Sequence, residues 1–162
     1  MKMAEASATT PLSRETARVR LARAVHINVI LLGNRSLDQL EEICRSEDLT
    51  HSQYVALWTL CLANDRDAAI PLGAVSDGLL NRASDTTRLV DRLEEAGLAE
   101  RLPNPTDRRG VLVRATAEGH RRFRVVTPKI QEFHSSQWAN LTRVEARELN
   151  RLLGKALWGS EA

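Results

Sequence analysis

The chain has 162 residues, of which 43% are hydrophobic and 27% charged, and this fits one globular domain with a buried core. A net charge of +2 says little about nucleic acid, and two cysteines, Cys44 and Cys61, exclude a disulfide framework or a four-cysteine zinc site. The longest apolar run, Tyr54 to Trp58, is far below the ~20 residues of a membrane-spanning helix, and the N-terminus lacks the apolar stretch of a signal peptide, so we expect a cytoplasmic protein without membrane contact.

The N-terminal third begins with a flexible arm and continues as helix. Residues 1–12 are small and polar, which is typical of a loose arm. Apolar residues then recur at helical spacing and predict an amphipathic helix that starts at Arg14: Leu21, Val25, Val29 and Leu32. Gly33-Asn34 interrupts this helix and the period resumes to Ile43, so the segment is either one kinked helix or two helices in series.

The next segment predicts a compact helical unit. Thr50 and Gln53 have the spacing of a capping box, and the apolar run 54–62 that follows predicts a buried helix. Ile70-Pro71-Leu72 is long enough only for a scrap of edge strand. A short helix is expected from Gly73 to Leu80, with two glycines that weaken it.

A third helix and a hairpin complete this unit. Asn81 caps a helix expected over 82–95, which Gly97 ends as a residue in the left-handed conformation. After Gly97 the apolar period changes to about two, which predicts strands over 98–102 and 111–115 around a turn-rich, basic tip.

Two further helices follow the hairpin. Thr116 caps the first, which Pro128 kinks, and Thr142 with Glu145 forms a second capping box. Three apolar stripes are too many for one lobe to cover and are expected to pair with a second chain: Leu21, Val25 and Leu32; Phe123, Ile130 and Phe133; Leu149, Leu152 and Leu153.

This order of elements is that of a winged helix-turn-helix, a mainly α fold with a small β-hairpin wing. Residues 82–124 carry 10 arginines against 7 acidic residues, so the basic part of the chain coincides with the third helix and the wing. In the major groove Arg88 would make a bidentate contact to guanine, and Asp85 would accept a hydrogen bond from a cytosine amine. The alternative is an ordinary solvated face, on which Arg88 pairs with Asp91 and Arg92 with Glu95.

The hairpin tip adds two arginines that have no role in a core. Arg108 and Arg109 lie between Asp107 and Gly110. A guanidinium at the tip of a wing favours the negative potential of a narrow minor groove, and Asp107 is placed to orient it.

These residues resemble the MarR family of transcriptional regulators. The resemblance rests on DTTRLVDRLEEAGLAER at 85–101, DRR at 107–109 and ATAEG at 115–119. It implies a homodimer that binds a pseudo-palindromic operator in double-stranded DNA, with dimerisation helices in 13–48 and 117–160 and a winged lobe over 49–116. Two departures, Leu80-Asn81 between the lobe helices and Asp85 in place of a neutral residue, bear on the operator sequence. The predicted DNA-contacting residues are Arg82, Ser84, Asp85, Thr87, Arg88, Asp107, Arg108 and Arg109.

Members of the family often sense a small aromatic or phenolic effector, or an oxidant. His26, Trp58 and His134 are the candidates for an effector site, although Trp58 in an apolar helix is more typical of a core residue. Cys44, next to Arg45, and Cys61 are candidates for a redox switch, and a buried, inert thiol is the alternative for each.

The sequence favours regulation over catalysis. It has no phosphate loop, no nucleophile elbow and no metal-protease motif, and its histidines lack metal-ligand spacing, so we expect no enzyme, no metal and no cofactor. A winged-helix protein-interaction module without DNA binding is the alternative function. A small-molecule carrier or an enzyme that uses the cavity between the helices is the third.

Overall fold

The structure is a computed structural model that describes residues 16–62, 68–78, 86–107 and 110–159. The predicted flexible arm, residues 1–12, lies outside these ranges. The elements in chain order are α1 (Ala17–Arg45), α2 (His51–Leu62), β1 (Ile70–Pro71), α3 (Leu72–Gly78), α4 (Thr86–Glu95), β2 (Ala99–Pro103), β3 (Val111–Ala115), α5 (Ala117–Gln137) and α6 (Arg143–Trp158).

Helix α1 is uninterrupted. The Thr16 hydroxyl accepts a hydrogen bond from the Val19 N–H at 3.3 Å, and the helix then continues through Gly33 and Asn34 to Arg45. Of the two alternatives for this segment, two helices in series is therefore wrong, and α1 is a single helix. A glycine inside a helix costs only about 1 kcal/mol relative to alanine, which is too little to break a long helix at a single position.

The chain divides into two compact units, with the boundary after Gln39. In the first unit the described part of α1 exposes its large apolar side chains, and Leu21 is 66% exposed. The whole set of exposed large apolar residues in this unit is Val19, Leu21, Val25, Ile27, Val29, Ile30, Leu31, Leu32 and Leu37.

The second unit contains the hydrophobic core. Its largest fully buried side chains come from the end of α1, from α2 to α4, from the hairpin and from α5: Cys44, Leu57, Val75, Val90, Leu93, Leu98, Val113 and Val126. The Tyr54 ring stacks on Phe123 with centroids 5.9 Å apart, and the Tyr54 and Thr127 hydroxyls are 3.3 Å apart. Helix α2 is thereby fixed against α5.

The three strands form one antiparallel sheet in the order β1-β3-β2. The predicted edge strand is present over Ile70–Pro71, where Ile70 pairs with Val113, and Ala99 pairs with Ala115 across the hairpin. Strand β2 begins and ends one residue later than predicted. Gly97 has a φ of +68° and the Leu98 N–H donates to the Leu93 carbonyl at 2.8 Å, so Leu98 still belongs to the C-terminal cap of α4.

Three of the four predicted N-terminal caps are present, and the fourth, Asn81, lies outside the described residues. Each threonine hydroxyl accepts from the backbone N–H three residues later: Thr50 from Gln53, Thr116 from Gly119, and Thr142 from Glu145. The Gln53 and Glu145 side chains accept in return from the cap N–H groups, both at distances below 3 Å, which completes two capping boxes.

Helices α5 and α6 use their apolar stripes differently. On α5, Ile130 and Phe133 are buried in the core of the second unit, so the prediction that this stripe pairs with a second chain is wrong. The α5 stripe packs on α2 instead, because the two helices lie side by side. Helix α6 buries none of its residues, and Leu152 and Trp158 are 48% and 77% exposed.

Candidate nucleic-acid interface

Helix α4 has one buried side and one exposed side. Val90 and Leu93 are fully buried, whereas Thr87, Arg88 and Arg92 are exposed. Thr87 and Arg88, which were predicted to contact DNA, therefore lie on the side of α4 that faces away from the core.

Arg101 of β2 holds α4 against the hairpin. Its Nη1 lies 2.7 Å from Asp91 Oδ1 and also contacts the Glu94 carboxylate, and its Nη2 donates to the Thr87 carbonyl at 3.1 Å. The Arg101 backbone N–H donates to Glu94 Oε1 at 2.8 Å. One residue of the wing strand thus bonds to three positions along α4.

This contact bears on the interpretation of α4 as a solvated face. That interpretation assigned Asp91 to Arg88, whereas Asp91 makes a close ion pair with Arg101. No role was predicted for Arg101 from the sequence, although Arg101 ends the motif at 85–101. The signal that identifies it is Glu94, seven residues earlier, with the Gly97 turn between them.

The Asn104 side chain stabilises the turn at the base of the wing tip. Its Oδ1 accepts from the Thr106 N–H at 3.0 Å, from the Thr106 hydroxyl at 2.8 Å and from the Asp107 N–H at 3.3 Å. The Gly110 N–H donates to the Asp107 carbonyl at 2.9 Å, and a Cβ on Gly110 would lie 3.0 Å from Asn104 Nδ2. The residues on both sides of the two tip arginines are therefore held in a tight turn.

Three of the predicted DNA contacts fall within the described residues, namely Thr87, Arg88 and Asp107, and all three are exposed. The other five lie outside the described residues: Arg82, Ser84, Asp85, Arg108 and Arg109.

Among the candidates for an effector site, Trp58 is 45% exposed, so its interpretation as a core residue is wrong. Only one side of α2 packs in the core, and Trp58 lies off that side. His134 is exposed and lies close to His51, whose pKa is lowered by burial and further by His134, while Glu41 opposes the shift. His26 is an exposed residue of the first unit.

Both cysteines lie in environments that suppress the thiolate. Cys44 is fully buried, and this burial, with a smaller effect of Glu41, raises the pKa of its thiol to about 12. Burial raises the pKa of Cys61 to about 11 against the opposing effect of Arg124. At neutral pH both thiols are therefore protonated, and Arg45 next to Cys44 does not make that thiol acidic.

The described ranges contain no group of three or more His, Cys, Asp or Glu residues placed to hold a metal ion. They also contain no helix that is long and apolar enough to cross a membrane.

Helices α2, α3 and α4, followed by the β2-β3 hairpin, define a winged helix-turn-helix protein. The family model described as "MarR family" matches residues 73–111. The chain is 33% identical over 141 residues to the multiple antibiotic resistance protein MarR of Escherichia coli K12, which covers 86% of this chain and 92% of that protein. It is 25% identical over 119 residues to the HTH-type transcriptional repressor IacR of Pseudomonas putida, and the match covers 74% of this chain and 69% of that protein.

The structure also resembles that of a mutant E. coli MarR complexed with operator DNA, with a TM-score of 0.72, 31% identity, and coverage of 86% of this chain and 94% of that one. The chain belongs to the MarR family. It is therefore a DNA-binding transcriptional regulator and not an enzyme, which confirms the first interpretation of the sequence over the protein-interaction alternative.

Proposed function

We propose that the chain represses transcription by binding a pseudo-palindromic operator in double-stranded DNA as a homodimer in the cytoplasm. The observation that carries the proposal is the two-sided α4, which exposes Thr87 and Arg88 while Arg101 pairs with the acidic Asp91 and Glu94. A helix of this kind fits the major groove with its N-terminal residues at the base edges. The name of IacR as a repressor supports repression over activation.

The predicted contacts take different roles on the duplex. We assign base contacts to the start of α4, where the Arg88 guanidinium makes a bidentate contact to guanine. The wing carries Arg109 into the minor groove, and Asp107 orients it. The remaining candidates contact bases or phosphates beside these two: Arg82, Ser84, Asp85, Thr87 and Arg108.

The exposed apolar faces of α1 and α6 support dimerisation through residues 13–48 and 117–160, with 49–116 as the DNA-binding lobe. A cavity of about 220 Å³ lies along α6 and is lined by Trp138, Ala146, Leu149, Asn150 and Leu153. Its walls are mostly apolar, so it suits an apolar side chain of a second copy. In such a dimer the two lobes meet half-sites about one helical turn apart.

A small aromatic or phenolic effector is the proposed signal, with His26, Trp58 and His134 as candidate contacts. The exposed indole of Trp58 offers an aromatic ring a surface to stack on. The raised pKa values of the two thiols disfavour an oxidant as the signal. An effector relieves repression only if it binds more tightly to a lobe arrangement that mismatches the operator.

A mobility-shift titration with the DNA upstream of the protein's own gene tests the proposal. We expect a discrete complex that survives an excess of unrelated duplex of the same length and base composition. Equal competition by both duplexes would contradict sequence-specific binding.

A further inference from the structure

We propose that Arg101 is a positioning residue for DNA recognition, which fastens α4 to the wing strand so that helix and hairpin meet the duplex in one fixed arrangement. The inference rests on the proposed function, because it explains how the α4 side chains are held where they contact bases. Arg101 itself is not proposed to touch DNA.

The geometry of the guanidinium supports this role. Nη1 and Nη2 bond to Asp91, to Glu94 and to the Thr87 carbonyl, which span two turns of α4. The Arg101 side chain is 25% exposed and that of Glu94 32%, so this contact is shielded from solvent more than that of a surface pair, whereas Asp91 is 46% exposed. The backbone N–H of Arg101 adds a bond to Glu94, so both the main chain and the side chain of β2 hold the helix.

The contact at Thr87 connects Arg101 to the DNA-facing side. Thr87 carries its side chain on the exposed side of α4, next to Arg88, while its carbonyl accepts from Arg101. Rotation of α4 about its axis would move this carbonyl and Arg88 together. Arg101 therefore restrains the rotation that determines which base edge Arg88 reaches.

The proposed positioning role requires arginine because its planar guanidinium carries several hydrogen-bond donors. A lysine at position 101 has one charged nitrogen, which cannot bond to two carboxylates and a carbonyl in the same plane. Arg101 also offsets one of the two negative charges that Asp91 and Glu94 place on the helix proposed to approach the phosphates.

Fluorescence anisotropy on the operator and on an unrelated duplex, at several salt concentrations, tests the role. For Arg101→Ala we expect operator affinity to fall about tenfold, affinity for the unrelated duplex to change less, and the salt slope to stay unchanged. Arg101→Lys restores the charge and should recover only part of the discrimination. The matched control is Arg114→Ala, which removes a cation of the same hairpin that pairs with Glu100 at 2.7 Å and whose side chain is 38% exposed, and it should bind the operator like the parent.

Three results would overturn the proposal. A salt slope lowered by about 0.9 with equal weakening on both duplexes would make Arg101 a phosphate contact. Unchanged operator affinity in a folded Arg101→Ala variant would remove the positioning role. A parent that does not discriminate between the duplexes contradicts the proposed function and the positioning role together, whereas a discriminating parent with an indifferent Arg101 contradicts the positioning role alone.

If Arg101→Ala does not fold, Asp91→Asn removes one of the two carboxylate charges that Arg101 contacts and leaves the sequence of β2 unchanged. We then expect a two- to fivefold loss on the operator with little change on the unrelated duplex. Operator affinity equal to that of the parent in this variant would contradict the proposal.

Discussion

Cys44 and Cys61 illustrate how burial determines the chemistry of a single residue. A thiol reacts with disulfides and peroxides as the thiolate, and both pKa values lie several units above neutrality because the side chains are removed from water. The raised pKa also couples to stability. The neutral thiol is favoured in the fold, so this contribution is fully present below the ordinary thiol pKa of about 9 and is lost as the pH rises toward 12.

We predict that an aromatic disulfide reagent at pH 7 labels the folded protein slowly and labels both cysteines at once in concentrated urea. Peroxide at the same pH should leave DNA binding unchanged. Rapid labelling of the native protein would contradict the burial of the thiols. A peroxide-dependent loss of binding that disappears in Cys61→Ser would show that Cys61 is a redox switch.

Single positions also show where sequence reasoning succeeds. The caps at Thr50, Thr116 and Thr142 were predicted because each depends on residues within three positions of it. Arg101 was not assigned because its partners are seven to fourteen residues away and meet it only after the Gly97 turn folds the hairpin onto α4. Local spacing does not report such a contact.

At the scale of elements, the start of α5 packs unusually closely on the C-terminal cap of α4. A Cβ on Gly119 would lie 2.1 Å from the Leu98 carbonyl oxygen and 3.2 Å from Leu57. Thr116 anchors the same junction, since its hydroxyl donates to the Gly97 carbonyl at 2.7 Å and accepts from the Gly119 N–H. The threonine and glycine of ATAEG thus join the C-terminal cap of α4 to α5.

We predict that Gly119→Ala lowers the free energy of unfolding by about 1–3 kcal/mol or more, since backbone must move to admit the methyl group. Gly73→Ala is the matched control. Nothing lies within 4 Å of a Cβ at this position in α3, so this substitution should stabilise the protein by about 0.4–1 kcal/mol. Urea denaturation of both variants measures the difference, and equal stabilities would contradict the close packing.

The elements whose prediction failed are those whose surroundings decide the outcome. The period identified the apolar stripe of α5, but not that Ile130 and Phe133 pack within their own chain. The apolar sequence of α2 did not reveal that Trp58 lies off the core side of the helix. A hydrophobic pattern predicts that a side chain leaves water, and the tertiary arrangement decides which surface covers it.

At the scale of the whole molecule, exposed apolar surface on α1 and α6 predicts association. Light scattering at micromolar concentration should give twice the chain mass of 18.1 kDa. Leu152→Glu places a charge on the exposed face of α6 and should shift the protein toward monomer, because an unpaired carboxylate is costly in an apolar interface. The control Ser52→Glu, at an exposed position of α2, should leave the mass measured by light scattering at that of the dimer. A monomeric parent would contradict the assembly and the two-half-site operator with it.

We propose that α4 contacts base edges while the wing recognises groove shape. Substitutions in the two elements should therefore weaken DNA binding in different ways. Arg88→Ala should cost about 1–3 kcal/mol on the operator and little on unrelated DNA. Arg109→Ala should weaken binding to both duplexes and lower the salt slope, since a cation near the phosphates is lost.

Fluorescence anisotropy of these two variants and the parent, on both duplexes over a range of salt concentrations, is the most direct test. The account predicts a loss of discrimination for Arg88→Ala and a uniform loss with a shallower salt slope for Arg109→Ala. Folded dimers of both variants that bind the operator like the parent would contradict it.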